Sequence, residues 1–158
     1  MNPVKGVSVF LILAAAWAAR ASDQAQWGQR CTRNMISDET GLPDSFDPKT
    51  GKNVKWVAKL GTDSYATPAV AAGKVFIGTN NHVPRDPRHQ GDRGVLLCLS
   101  EADASLCWQL VVPKQTTELP QYREDDIKFL DWPSIGMCSC PSVEGDRVYM
   151  LTNRNEVV

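Results

Sequence analysis

The chain has 158 residues, 42% of them apolar and 22% charged, with 17 basic side chains against 18 acidic ones and a net charge of −1. A balance so close to neutral carries no electrostatic footprint for nucleic acid or for an anionic membrane surface, which removes binders of both kinds from the first reading. The length suits one small domain.

The N-terminus reads as a leader. Lys5 precedes an apolar run over residues 7–19, and Ala19-Arg20-Ala21 is a small-x-small cleavage site before Ser22. Residues 1–21 are therefore expected to be a signal peptide, and the chain to be exported to a periplasmic or extracellular place. The apolar run of 13 residues falls short of the roughly 20 that span a bilayer, so no membrane span is expected once the leader is removed. An uncleaved anchor is the alternative. Removal takes Lys5 and Arg20 with it and moves the net charge to about −3.

Residues 22–53 show little periodicity and hold Gly28, Gly41, Pro43, Pro48 and Gly51, which marks an irregular arm with turns. Short strands are expected from there on, over 54–60, 66–71, 74–79, 95–99, 106–112, 138–143 and 147–152, with another starting at Glu156. Ala72-Gly73, Glu144-Gly145-Asp146 and the loop 82–94 supply the turn chemistry between them. No segment has sustained helical periodicity, although 119–130 has room for one helical turn.

One segment occurs twice. Residues 66–80 align without a gap to 139–153, an offset of 73, with Pro68/Pro141, Val70/Val143, Val75/Val148, Thr79/Thr152 and Asn80/Asn153 identical. Self-similarity at a fixed offset marks repeat units that cannot bury their own apolar faces and must stack on a neighbour. Four turn-linked strands between the two Pro-x-Val marks make one antiparallel unit, the size of a propeller blade. Blades repeat every 40–50 residues or so, and the surplus of about 25–30 is taken up by insertions at 81–94 and 113–135. The expected fold is all-β, a partial β-propeller of four-stranded antiparallel blades, with one blade over 66–112 and the start of the next over 137–158. Strand 54–60 is expected to close the ring as the outer strand of the last blade, with Trp56 facing its neighbour. The second copy runs into Val158 where the first continues to another strand and a Trp, which reads as the N-terminal piece of a longer protein.

Asp47-Pro48-Lys49-Thr50-Gly51 followed by Trp56 resembles the signature of pyrroloquinoline-quinone-like (PQQ-like) propeller repeats, an Asp-x-x-Thr-Gly turn leading to a strand Trp, with one residue more than usual before the Trp. A second instance is degenerate: Trp108 is in place, but Ser100 takes the Asp position and Asp103-Ala104 the Thr-Gly position. Trp27-Gly28, Glu39 to Pro43, Asn53 to Trp56 and Asp131-Trp132-Pro133 are similar to an exported subgroup of planctomycete type. The resemblance implies an architectural motif, with the Trp packed between blades and the turn hydrogen-bonded to it. It implies no activity.

Five cysteines, at 31, 98, 107, 138 and 140, sit in a chain expected to be exported. If 100–105 is a hairpin loop, Cys98 faces Cys107 and Leu99 faces Leu106, at a separation that allows a disulfide. Two buried free thiols are the alternative. Enzymes of the resembled fold hold PQQ near the axis above a calcium ion, often against a disulfide of two adjacent cysteines. Cys138-Ser139-Cys140 departs from that, because residues two apart on a strand share a face without bonding. By the repeat they stand near the axis, as redox or metal contacts or simply as small residues at a crowded place. His82 and His89 lie in a loop with Arg85, Arg88 and Arg93. A metal site at the two histidines, an anion or partner contact through loop residues such as His82 and Arg85, and a solvated loop are the readings. Glu124, Asp125 and Asp126 read as a hydrated acidic run.

The function expected from all this is a binding or scaffolding module of the cell envelope with no cofactor of its own, contacting a protein or envelope partner through its loops and the remaining blades of its parent chain. The alternative is a fragment of a PQQ-dependent dehydrogenase needing PQQ and calcium. A small autonomous β protein is the third reading.

Overall fold

The structure, a computed structural model, describes residues 22–114 and 134–158. The expected leader and residues 115–133 of the expected insertion lie outside them. The described residues are all-β, with no helix, in two antiparallel sheets.

The first sheet is a meander of β1 (Ala69–Ala71), β2 (Lys74–Asn80), β3 (Arg93–Ser100) and β4 (Leu106–Pro113), each strand paired with the next. Ala72 and Gly73 link β1 to β2 with φ of 51° and 71°, the two left-handed residues of a tight hairpin turn whose twist matches the flanking strands. β3 is apolar from Val95 to Leu99 without alternation, the pattern of a strand buried on both faces. On one face Val95, Leu97 and Leu99 pack with Ile77, and Ala58 and Leu60 cover them. On the other, Leu96 and Cys98 pack with Phe76, Val112, Met137 and Met150.

The second sheet is the hairpin of β5 (Ser142–Glu144) and β6 (Arg147–Tyr149). β5 begins and ends 73 residues after β1, and β6 begins 73 after β2. The register also repeats: Ala69 opposes Phe76 as Ser142 opposes Tyr149. A bridge between Leu151 and Val157, with main-chain bonds between Met150 and Val158, then starts a third strand across a short turn, where the first unit carries its long loop. The two units meet closely. Met137 N–H donates to Thr79 O at 3.2 Å, and a Cβ on Gly78 would lie 2.2 Å from Met137 O, so only glycine admits this approach.

The arm ties the units together at equivalent places. Val70 N–H donates to Gln24 O at 2.9 Å and Val143 N–H to Ala25 O at 2.7 Å, so adjacent arm carbonyls clip the same residue of each repeat.

Residues 54–60 form no ladder among the described residues; the closing role expected of them concerns a blade outside those residues. Their alternate burial arises because this extended segment lies across a sheet face, Ala58 and Leu60 inward, and that produces the same period of two as a paired strand. The register opposite Cys98 differs from the expected one. A bulge between Cys98 and Leu99 sets Cys98 against Trp108 and leaves Cys107 as the additional residue, while Leu99 does oppose Leu106.

Candidate functional site: a turn and tryptophan contact beside a polar loop cluster

The Asp47 turn is built by its own side chain. Asp47 Oδ1 accepts Lys49 N–H at 2.9 Å, Oδ2 accepts the Thr50 hydroxyl at 2.9 Å, and Asp47 O accepts Gly51 N–H at 2.9 Å, with Gly51 left-handed at φ 77°. The Lys49 amide, then the Thr50 hydroxyl, hold the Asp47 carboxyl below the usual carboxylate range.

The degenerate turn between β3 and β4 has the same bonds 53 residues later. Ser100 Oγ accepts Ala102 N–H at 3.2 Å, Ser100 O accepts Ala104 N–H at 2.9 Å, and Ala104 takes the left-handed place at φ 60°. Asp47 N–H donates to Lys52 O as Ser100 N–H donates to Ser105 O. Ser100 and Ala104 thus do the work of an Asp and a Gly that the sequence lacks.

Trp56 connects one turn's segment to the other turn. Its indole Nε1–H donates to Glu101 O at 2.8 Å, and the ring is half-buried against that loop. Trp108, the second motif's Trp, is 40% exposed. Its ring meets Phe76 at a centroid distance of 5.9 Å, and its indole N–H has no hydrogen bond among the described residues.

At the other end of β2, Asn80 is a buried junction. Its Oδ1 accepts from Thr62 N–H and His82 N–H, and its Nδ2 donates to Thr62 Oγ1 at 2.9 Å and Ser134 O at 2.5 Å. His82 stands between Thr62 Oγ1, 2.7 Å from Nδ1, and Ser134 Oγ, 3.4 Å from Nε2. Thr62 gives its proton to Asp63 Oδ2, so the network assigns the His82 proton to Nδ1 and turns Nε2 toward Ser134. Ser134 has a left-handed backbone at φ 68°, but its own N–H is bound to Asp92 Oδ2 at 2.7 Å. The cluster thereby ties together three segments, at 62–63, 80–82 and 134, with Asp92 holding the last. Arg85 donates to Lys59 O, and burial lowers its pKa. His82 and Arg85 therefore brace the loop 82–92 against the body, while His89 lies apart from them and caps a turn through Asp86 O.

The cysteines do not converge. All five are free thiols, with Cys31, Cys107 and Cys138 exposed. Burial, and then the neighbouring Cys107 thiol, push the pKa of Cys98 up to about 11. Cys138 Sγ donates to Gly136 O and Cys140 Sγ to Pro141 O, each within its own segment. Burial raises the pKa of both, so both stay protonated at neutral pH, the unreactive form. Among the described residues no three His, Cys, Asp or Glu side chains gather as a metal site.

Asn80, Thr62, Ser134 and Asp92 escaped the sequence reading as site residues. The Thr-Asn pair that closes both repeats was the available signal. Comparison with protein-family models, with curated proteins and with solved structures yields no match.

Proposed function

We propose that this chain is part of an exported, propeller-type repeat protein that serves as a binding or scaffolding module of the cell envelope. The observation that carries the reading is the Trp56 indole bonded to Glu101 O of a turn that repeats its own motif's geometry. Such a contact passes from one unit to the next and suits stacked blades of the PQQ-like kind, whose shared faces give stability and whose loops are left for partners. The duplicated hairpin and its braced loop 82–92 support it.

The residues present do not fit a bound quinone, which weakens the dehydrogenase alternative. Cys138 and Cys140 are not adjacent, and each donates to a main-chain carbonyl of its own segment rather than joining in a disulfide on which a flat ring could stack. Two measurements test the proposal. An alkaline phosphatase fusion after Val158 should be active outside the cytoplasm. The full chain with pyrroloquinoline quinone and calcium should leave a redox dye unreduced across a panel of alcohols and sugars, and turnover above the protein-free control would restore the enzyme reading.

A further inference from the structure

Four successive residues of the arm are each bound. Ser22 N–H and the Ser22 hydroxyl donate to Glu39 Oε1 at 2.6 and 2.9 Å, Asp23 Oδ2 accepts Ala72 N–H at 3.0 Å, and the Gln24 and Ala25 carbonyls take the amides of Val70 and Val143. The last three hold the arm to the repeats. The first holds the arm to itself. Gln29 N–H donates to Asn34 O and Arg33 N–H to Gln29 O, which turns the chain back, and the Gln29 side chain donates to Ile36 O. Glu39 thereby returns to face Ser22 from 17 residues further on.

Ser22 is also the residue that follows the expected cleavage site. In the unprocessed chain its nitrogen is a neutral amide with one proton to donate. Hydrolysis of the Ala21–Ser22 bond by a signal peptidase leaves a carboxylate on Ala21 and an amine on Ser22. That amine takes up a proton at neutral pH and then carries three N–H donors and a full positive charge. The surroundings match such a charge. Ser22 and Glu39 both line two clefts, whose other charged side chains among the described residues are Asp23, Arg30, Asp38 and Glu144 in one and Lys55 and Glu101 in the other. Arg30 is paired with Glu144 at 2.5 Å. The carboxylates of Asp23, Asp38, Glu39 and Glu101 then face Lys55 alone, an acidic balance at a place where the unprocessed chain puts an uncharged nitrogen.

We propose that Glu39 is the binding site for the α-ammonium group that leader removal sets free at Ser22, so that processing fastens the start of the arm and, through it, the clip on the repeats. This rests on the reading of the chain as exported, and adds what processing does to the folded protein. Ser22 is exposed, so the pair has the modest strength of a surface ion pair. It acts where it matters, because Ser22 adjoins the residues that hold Ala72 and Val70. Glu39 favours the charged amine, so the folded chain holds that proton more tightly than the unfolded one. The stabilisation is complete below the ordinary amine range and is lost as pH rises through the raised one.

The chain exported with its own leader and purified from outside the cytoplasm supplies the test. N-terminal sequencing should give Ser22 first. Cyanate at about pH 6 carbamylates an α-amine only in its unprotonated form and leaves lysines protonated and intact. The Ser22 amine should react at least about threefold more slowly in the folded wild type than in Glu39→Gln, or than in either chain unfolded in guanidinium chloride. Carbamylation also replaces the ammonium with a neutral group. It should accelerate exchange of the Val70 and Ala72 amides about two- to fivefold in the wild type and leave them unchanged in Glu39→Gln. The Leu97 amide, buried in β3, should keep its protection in every form. Equal carbamylation rates in folded wild type and Glu39→Gln, or the same exchange response to carbamylation in both, would overturn the ammonium site and leave the export reading standing. An exported chain that begins at another residue would also overturn it, and a chain retained in the cytoplasm with its leader attached would remove the export reading as well.

Discussion

Trp56 shows how little of a motif has to be conserved in letters for its contact to survive. The bond goes to a main-chain oxygen, Glu101 O, so any residue that preserves the turn preserves the acceptor. Trp56→Phe keeps most of the ring's packing and deletes the donor, leaving a partly covered carbonyl unpaired. A loss of about 1 kcal/mol in unfolding free energy is expected, seen as a lower urea midpoint with an unchanged slope. Cys98 makes a second argument at this scale. Its thiol is buried on β3 and its pKa stands near 11 rather than near 9, so the folded state favours the protonated form. Its contribution is complete below about pH 9 and is lost as pH rises through about 11. The reduced chain should therefore destabilise across that alkaline window, and Cys98→Ser or Cys98→Ala should lose that part of the pH dependence. At pH 8 an alkylating reagent should label exposed Cys107 well before Cys98. The disulfide expected between Cys98 and Cys107 is open to non-reducing peptide mapping: recovery of both as free thiols, as the structure has them, would remove it.

Among elements, what the sequence made legible was whatever turn chemistry and uninterrupted apolar character determine locally. β2, β3 and β4 lie where apolar character and turns put them, and the 73-residue repeat reappears as identical hairpin registers. Segment 54–60 shows why alternation alone does not give pairing: an extended chain lying on a sheet face alternates in burial just as a paired strand does, and side chains do not report whether backbone groups are bonded. The bulge at Cys98 was equally invisible, because one additional residue in a strand leaves no compositional trace. The 100–105 turn looked degenerate because Ala104 stands where the motif has Gly, yet Ala104 adopts φ 60° all the same. An alanine held there is strained, so Ala104→Gly should relieve it and raise stability by about 0.5–1 kcal/mol, measurable by thermal or urea unfolding. A decrease would mean that the Ala104 methyl packs against the Trp56 contact more favourably than the strain costs.

For the molecule as a whole, the repeat explains why the arm is where it is. The two sheets each present an edge strand, β1 and β5, whose outer amides have no partner within their own sheet, and bare edges invite pairing with other chains. Residues 24 and 25 meet that need by running across both strands, and successive carbonyls take the amides of Val70 and Val143, which are the same residue in the two repeats. No sequence pattern announced it, because an irregular segment reveals its bonding only through the strands it meets. The polar cluster has the same cause: Asn80 gathers Thr62, His82 and Ser134 from three distant stretches, and their convergence is a property of the fold. If the arm is a clip between units, hydrogen exchange will reveal it. Val70 and Val143 amides should exchange slowly and together in the full chain. Removing residues 22–27 takes away both acceptors, so exchange at both amides should accelerate by at least about tenfold, while Leu97 amide in the buried centre of β3 keeps its protection. Acceleration at Val70 alone would show that the arm serves one sheet edge and that the two repeats are joined without it, by contacts such as that of Gly78 with Met137.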